Sequence, residues 1–202
     1  MQIIAQIIIV LFSIIIHEIS HGYAALALGD KTAKYAGRLT LNPVKHIDIF
    51  GTIILPILLA VGTKGAFVFG WAKPVPYNPY NLSNQKWGDA IVAGAGPLSN
   101  IIIATLFSIL MHAGISAGLV NQAFVDISVF VIAVNVALAL FNLLPIPPLD
   151  GSKILFGILP YRYMHIRHSL ERYGFFVLLG FIYFFGNYFF GYVVGPVIGL
   201  FL

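Results

Sequence analysis

The sequence predicts an all-α polytopic membrane protein, and both its composition and the length of its apolar stretches indicate this fold class. Hydrophobic residues make up 59% of the 202-residue chain and charged residues only 9%, whereas about a quarter of the residues in a soluble domain are charged. Residues 1–28, 90–112 and 124–144 each supply the roughly 20 apolar residues that a helix needs to cross the hydrocarbon. We expect these three helices to form the core of a single domain covering residues 1–202.

The segments between and after the three core helices have other patterns. Residues 47–62 are apolar but broken by Pro56 and short for a span, so we expect a re-entrant or interfacial segment. Residues 63–89 hold glycines and prolines among aromatic residues, which is typical of extended strands and turns and predicts a β-loop. Additional C-terminal helices follow. Residues 152–173 mix basic and apolar side chains as an interfacial helix does, and residues 174–202 form either one long span or a tight hairpin.

The charged residues indicate an orientation in the membrane rather than a nucleic-acid partner. The formal net charge is +4, but the eleven Lys and Arg residues are spread thinly along an apolar chain, so we predict no nucleic-acid binding. If residues 47–62 do not cross the bilayer, all eleven lie on one side, and the loop of residues 113–123 on the other side carries no charge. Because basic loops stay in the cytoplasm, we expect an integral protein of a prokaryotic plasma membrane with its basic face toward the cytoplasm.

Three polar residues inside the first apolar stretch form the pattern His-Glu-x-x-His, namely His17, Glu18 and His21. At 3.6 residues per turn the two histidines lie one above the other on one helix face and can chelate one ion. They supply two of the three protein ligands of a catalytic zinc, and Glu18 beside them can take the proton of a water bound to the metal. The pattern also arises by chance in soluble helices, but ionisable residues inside a membrane are costly and functional by default.

The third metal ligand must come from a distant part of the chain. No cysteine is present, and Ala27 occupies the position at which the extended soluble form of the motif has another histidine. Asp150 is a candidate because it follows a proline-rich break after residues 124–144, although an Asp-Gly pair is also a common turn. The topology is compatible with this ligand. If residues 47–62 do not cross the bilayer, the chain crosses it twice between the end of the first helix and Asp150. Asp150 then lies on the side on which the first helix ends.

At two further places the sequence resembles the site-2 protease family of intramembrane metalloproteases. Residues 142–151 read Asn-Leu-Leu-Pro-Ile-Pro-Pro-Leu-Asp-Gly, and residues 94–100 read Gly-Ala-Gly-Pro-Leu-Ser-Asn, so that three motifs stand in the order of that family. In the family the aspartate of the Leu-Asp-Gly segment completes the zinc site of the helix-borne His-Glu-x-x-His. The resemblance therefore implies Asp150 as the third ligand. The sequence resembles a short form of the family, since it shows no appended soluble domain.

Two asparagines are candidates for contacts with the substrate. The amides of Asn142 and Asn100 could hold a substrate backbone or stabilise an oxyanion, and the alternative for each is a hydrogen bond between helices. The resemblance favours a functional role for Asn142, while both interpretations stay open for Asn100. Residues 67–79 offer either an extended edge to which an unwound substrate adds as a strand or a plain interfacial loop.

Together these observations predict a zinc metalloendopeptidase that hydrolyses peptide bonds within or near the transmembrane segments of other membrane proteins. We expect one Zn²⁺ per chain at His17, His21 and Asp150, with Glu18 as general base and the active site toward the cytoplasm. The expected partners are transmembrane protein substrates and the lipid bilayer, and the sequence predicts no oligomeric state. Two alternatives are a transporter or ion pathway, which buried ionisable residues also mark, and a proteolytically inactive protein that binds membrane clients.

Overall fold

The computed structural model describes residues 2–62, 64, 70–159 and 164–202. These residues contain eight α-helices, two π-helical segments and short 3₁₀ turns, with no β-strand among them. The helices are α1 (Gln2–Ala27), α2 (Thr32–Tyr35), α3 (Leu55–Gly62), α4 (Gly88–Ser116), α5 (Gln122–Asn142), α6 (Asp150–Ile158), α7 (Met164–Tyr188) and α8 (Gly195–Gly199). The π-helical segments are Ile49–Ile54, which leads into α3, and Phe189–Val194, which joins α7 to α8.

Four helical stretches within the described residues are long and apolar enough to cross a membrane. Three of them are α1, α4 and α5, which coincide with the three core helices predicted from the sequence. The fourth stretch, Arg167–Gly199, runs through α7, the second π-helical segment and α8 without turning back. The end of the chain therefore forms one long span rather than a tight hairpin, and the predicted all-α polytopic fold class is confirmed.

Helix α4 lies between α1 and α5 and contacts both of them. A small side chain at the contact with α5, the fully buried Ala104 of α4, lets the helix backbones approach closely. Ala104 belongs to a buried apolar cluster with Ile132 of α5, against which Val197 of α8 also packs. The C-terminal helix α8 thus packs against the contact between α4 and α5.

The first helix ends at a left-handed glycine that is followed by a buried aspartate. Gly29 has a φ of +101°, which glycine adopts without strain. The Asp30 carboxylate accepts hydrogen bonds from the main-chain N–H groups of Thr32 at 3.1 Å and Asn78 at 2.8 Å. It accepts a further bond from the Asn81 side chain at 2.9 Å. Burial alone would raise the pKa of Asp30, but these hydrogen bonds outweigh burial and hold that pKa below its ordinary value.

The apolar segment of residues 47–62 forms a short helix instead of a span. A six-residue π-helical turn leads into the eight-residue α3, which together are shorter than the roughly 20 residues that a spanning helix requires. This length agrees with the re-entrant or interfacial interpretation. Trp71 packs against Gly51, where a side chain would overlap the indole ring, and the N–H of Trp71 donates to the Gly51 carbonyl at 3.1 Å.

Residues 70–78, which we call the proline loop, run from Trp71 toward the end of α1. They lie in the range predicted as a β-loop but form no strand with any described residue. Residues 67–69, the first part of the proposed substrate edge, lie outside the described residues. The N–H of Lys73 donates to the His46 carbonyl at 2.9 Å, and Arg38 donates to the Lys73 carbonyl at 2.7 Å. The proline loop is thus held in place by side-chain and main-chain hydrogen bonds.

The single interfacial helix predicted for residues 152–173 is wrong, because two helices share this range. Helix α6 ends at Ile158, and α7 begins at Met164 and continues into the last span. Leu159 caps α6 with an extended backbone, φ −65° and ψ 133°, which is the conformation that a residue before proline favours. Pro160 is therefore the signal in the sequence that divides the range.

Candidate metal centre and its cavity

Three of the predicted site residues meet at one point between α1 and the start of α6. The Nε2 atoms of His17 and His21 lie 3.1 and 3.2 Å from the same carboxylate oxygen of Asp150. All three residues are buried. Asp150 is the first residue of α6, and the proline-rich break after α5 turns the chain back so that this residue faces α1. The structure therefore brings together the three residues that the sequence predicts as ligands.

The three donor atoms fit a zinc ion. Ligand atoms 2.0 to 2.2 Å from a tetrahedral zinc lie roughly 3.3 Å from one another, close to the two measured His–Asp separations, and all three donors lie within 4.8 Å of one another. Asp150 would bind the metal as an ionised carboxylate, the form in which an aspartate is a metal ligand.

The Nδ1 atoms of both histidines are hydrogen-bonded away from this point, to acceptors on α4. The Nδ1–H of His21 donates to the main-chain carbonyl of Val92 at 2.7 Å, and that of His17 donates to Oδ1 of Asn100 at 2.6 Å. Because the Nδ1 atoms carry the protons in this arrangement, the Nε2 atoms keep the lone pairs with which imidazole binds zinc.

Two glycines near the metal centre leave room for close neighbours. A Cβ atom at Gly96 of α4 would lie 2.5 Å from Nε2 of His21 and 2.6 Å from Cε1 of His17, so a larger residue would displace the rings. A Cβ atom at Gly151 would overlap the main-chain carbonyl of Leu143. Gly96 is thus required by the space beside the ligand rings, and Gly151 by the close approach of the break after α5 to the start of α6.

Glu18 lies between the metal centre and the proline loop. Its half-buried side chain lines the same cavity as the three ligand residues. One carboxylate oxygen accepts a hydrogen bond from the main-chain N–H of Val75 at 2.9 Å. The proline loop therefore orients the only carboxylate that the His-Glu-x-x-His motif supplies.

The metal centre opens into a cavity of about 1070 Å³, which is as large as the bigger ligand sites of proteins. Helices α1, α5, α6 and α7, the proline loop and the break before α6 form its walls. Most of the lining side chains are apolar, among them Trp71, Phe141, Phe156, Phe175, Leu178 and Ile182. Lys153, one turn after Asp150 on α6, also lines the cavity, with its ammonium 5.1 Å from the centre of the Tyr77 ring.

The two candidate asparagines occupy different places. Asn142 lines the cavity, and its side-chain N–H donates to the Leu138 carbonyl of its own helix at 3.0 Å. Asn100 is fully buried and bonds to His17 and, at 2.8 Å, to Asn135 of α5, so its contacts are those of the interhelical alternative. Sequence reasoning missed Asn135, although an amide inside an apolar span is a signal of a specific role.

A helical integral membrane protein in which a His-Glu-x-x-His helix and a distant aspartate form one metal site is a membrane-embedded zinc metalloprotease. Comparison with known proteins gives the same class. The model of Peptidase family M50 matches residues 5–117 and 108–185, and the chain belongs to this family, which contains the site-2 proteases. Membership favours an enzyme over the transporter and the inactive client binder considered from the sequence.

Two relatives are each named "Putative zinc metalloprotease". YwhC of Bacillus subtilis is 41% identical over 183 residues, which are 86% of this chain and 77% of that protein. Rip2 of Mycolicibacterium smegmatis is 30% identical over 152 residues, which are 70% of this chain and 52% of that protein. This chain therefore corresponds to about half of the length of Rip2. No solved structure matches the chain significantly.

Proposed function

We propose that this protein is an intramembrane zinc endopeptidase that cleaves peptide bonds within or near the transmembrane segments of other membrane proteins. One observation carries the proposal. The Nε2 atoms of His17 and His21 and the carboxylate of Asp150 converge beside Glu18 at the edge of a large apolar cavity. A soluble protease would present such a site to water, whereas here two of the three ligands, His17 and His21, belong to a helix that is apolar enough to span the bilayer.

One zinc ion per chain would be held by His17, His21 and Asp150, leaving a fourth position for water. When bound, zinc supplies Lewis acidity and lowers the pKa of a water ligand toward about 7. Glu18 would act as general base toward the attacking water and then as general acid toward the leaving amine, so that the peptide bond is replaced by a carboxylate and an ammonium group. The hydrogen bond from the Val75 N–H would hold the Glu18 carboxylate in the orientation that this proton transfer requires.

The substrate would occupy the apolar cavity in a locally unwound form. A peptide bond within a helix hides its carbonyl in a hydrogen bond, so a transmembrane substrate must lose helical structure around the scissile bond before attack. Aromatic and aliphatic walls suit apolar side chains of such a segment. Asn142 lines this cavity, and we assign its amide to binding the main chain of the unwound substrate or the developing oxyanion.

The active site would face the cytoplasm of a prokaryotic cell. Asp150 meets two residues near the C-terminal end of α1, so the break after α5 and the end of α1 lie on the same side of the three-helix core. Basic residues are concentrated in the segments on that side, and the connection between α4 and α5 carries none. The positive-inside rule then makes this side cytoplasmic.

Metal content and cleavage should be measured on the same purified protein. In detergent we expect about one zinc per wild-type chain and cleavage of a peptide that contains one apolar helix of ~20 residues. His17→Ala, His21→Ala and Asp150→Ala should each lose the zinc and the activity, since two protein ligands rarely hold zinc. His112→Ala is the matched control, because His112 is exposed and lies near the other end of α4. Undiminished zinc in the three ligand variants would refute the site.

A further inference from the structure

Three buried polar side chains lie behind the metal centre, where α1, α4 and α5 meet. They are Ser13, Asn100 and Asn135, each between 0% and 4% exposed. The Nδ2 group of Asn100 donates to Oδ1 of Asn135 at 2.8 Å, and the Nδ2 group of Asn135 donates to the hydroxyl of Ser13 at 2.9 Å. A buried amide must have its hydrogen bonds satisfied to be tolerated between spanning helices, and here the chain of bonds ends on a metal ligand, His17.

The direction of every hydrogen bond in this network is set by an atom that can only accept. The Nδ2 group of Asn135 also donates to the main-chain carbonyl of Val131 at 2.9 Å. That carbonyl fixes which end of the Asn135 amide is the donor, so Oδ1 of Asn135 faces Asn100. Oδ1 of Asn135 in turn requires the Nδ2 end of Asn100 at 2.8 Å, and the main-chain carbonyl of Ser13, 3.4 Å from the same Nδ2 group, favours this orientation more weakly. Oδ1 of Asn100 is then left facing Nδ1 of His17.

The two histidines differ in what fixes their protonation. The Nδ1 of His21 faces a main-chain carbonyl, that of Val92, which cannot be reversed. The Nδ1 of His17 faces a side-chain amide, which could present either its oxygen or its NH₂ group. If the Asn100 amide were reversed, Nδ1 of His17 would have to accept a hydrogen bond, and the proton would move to Nε2, the nitrogen needed for the metal.

We propose that Asn135 is a positioning residue that locks the Asn100 amide in one orientation and thereby selects the tautomer of His17 that binds metal. Asn100 and Asn135 contact the metal centre only through His17, so neither is a catalytic residue. The inference rests on the proposed zinc site. It extends that site by a series of hydrogen bonds across three helices, which we call the relay. The relay begins at the Val131 carbonyl of α5, passes through Asn135 and Asn100, and ends at His17 of α1.

Four variants of the full chain separate this role from simple packing. Asn100→Leu removes the acceptor for His17 and should weaken zinc binding about 10- to 100-fold, the usual loss for a partner of a ligand histidine. Asn100→Asp should keep zinc affinity near the wild-type value, because either carboxylate oxygen accepts from Nδ1. Asn135→Leu should weaken binding about tenfold with Asn100 present. In the Asn100→Asp background, which has no amide to orient, Asn135→Leu should cause no further loss.

Ser128→Ala is the matched control for a buried polar group on α5. Ser128 is fully buried two turns before Asn135, and its hydroxyl has no hydrogen-bond partner among the described residues. This variant should leave zinc affinity unchanged. Affinity is measured by competition with a chelator on the detergent-purified chain. If Asn135→Leu does not remain folded, the Asn100→Leu and Asn100→Asp pair still tests the acceptor, and Asn135→Ala replaces the larger substitution.

The tautomer itself provides a readout that does not depend on zinc or on cleavage. In the metal-free protein with ¹⁵N-labelled histidine, NMR should show the His17 proton on Nδ1 in the wild type and in Asn100→Asp, and a mixture of tautomers in Asn135→Leu. Equal loss of affinity from Asn135→Leu in both backgrounds, or a His17 proton on Nδ1 in every variant, would overturn the proposal. A wild-type chain that shows the expected tautomer but binds no zinc would overturn the proposed metal site instead.

Discussion

The carboxylate of Glu18 accepts a hydrogen bond of 2.9 Å from the main-chain N–H of Val75, a residue of the proline loop. This bond joins the first spanning helix to a segment that is anchored elsewhere. Lys73 is bonded to the His46 carbonyl on one side of Val75, and Asn78 is bonded to Asp30 on the other side. The direction of the proposed general base therefore depends on loop anchors well outside the His-Glu-x-x-His helix.

Replacing Glu18 by Gln should separate catalysis from metal binding. The amide has nearly the same shape and keeps an oxygen that can accept from Val75, so fold and zinc content should stay close to wild type. Cleavage should fall at least ~100-fold, since the amide cannot take a proton as a general base. Zinc by elemental analysis and cleavage of a transmembrane peptide give the two readouts. Loss of zinc from a folded variant would mean that Glu18 is itself a ligand.

Alanine at Gly96 should damage the metal centre, whereas alanine at Gly94 should not. A Cβ atom at Gly96 would come within 2.6 Å of both histidine rings, while one at Gly94 would meet no atom within 4 Å among the described residues. We expect Gly96→Ala to weaken zinc binding at least tenfold, as displacement of ligand rings does. Gly94→Ala should bind zinc normally and gain up to about 1 kcal/mol from better helix propensity. Equal zinc affinity in both variants would show that the rings adjust without cost.

The stability of the loop before α4 should depend on pH through Asp30. Its folded-state pKa lies below the unfolded value of about 3.9, because hydrogen bonds to the carboxylate outweigh burial. A depressed pKa contributes stability that is present above the unfolded pKa and is lost as pH falls through the folded pKa. Wild type should therefore exceed Asp30→Asn by about 2 kcal/mol at neutral pH, with a smaller difference below pH ~4. Thermal unfolding in detergent across this range provides the measurement, and a constant difference would contradict the assignment.

Cysteine labelling should establish the orientation, since the chain has no cysteine of its own. Lys64, Lys86 and Ala117 are all exposed. We expect Lys64→Cys and Lys86→Cys to react with a membrane-impermeant maleimide only after the cytoplasmic side is opened, and Ala117→Cys to react in intact cells. The opposite pattern at all three positions would invert the orientation. Labelling of Lys64→Cys and Lys86→Cys from outside, with Ala117→Cys unchanged, would mean that residues 47–62 cross the bilayer.

Local patterns made the metal centre predictable. The spacing of His17 and His21 specifies one helix face, and apolar length specifies where the spans lie, so both are properties of neighbouring residues. The resemblance to the site-2 proteases predicts Asp150 as their third partner, and counting crossings shows only that the topology is compatible with this ligand. The relay through Asn135 could not be predicted, because the partner of a buried amide depends on the rotation of each helix about its axis, which the sequence does not encode locally. The Glu18 contact with Val75 likewise depends on the path of a loop.

The separation of the ligands along the chain has a consequence for biosynthesis. His17 and Asp150 are 133 residues apart, and the Asn100 that supports His17 lies 83 residues beyond it. A ribosome delivers the first helix to the membrane long before it has made α6, so the nascent chain carries the two histidines without the aspartate that completes the group. Under the proposed function, zinc capture would therefore wait until three spans have been inserted and assembled. The order of synthesis would then delay proteolytic activity until the core helices are in place.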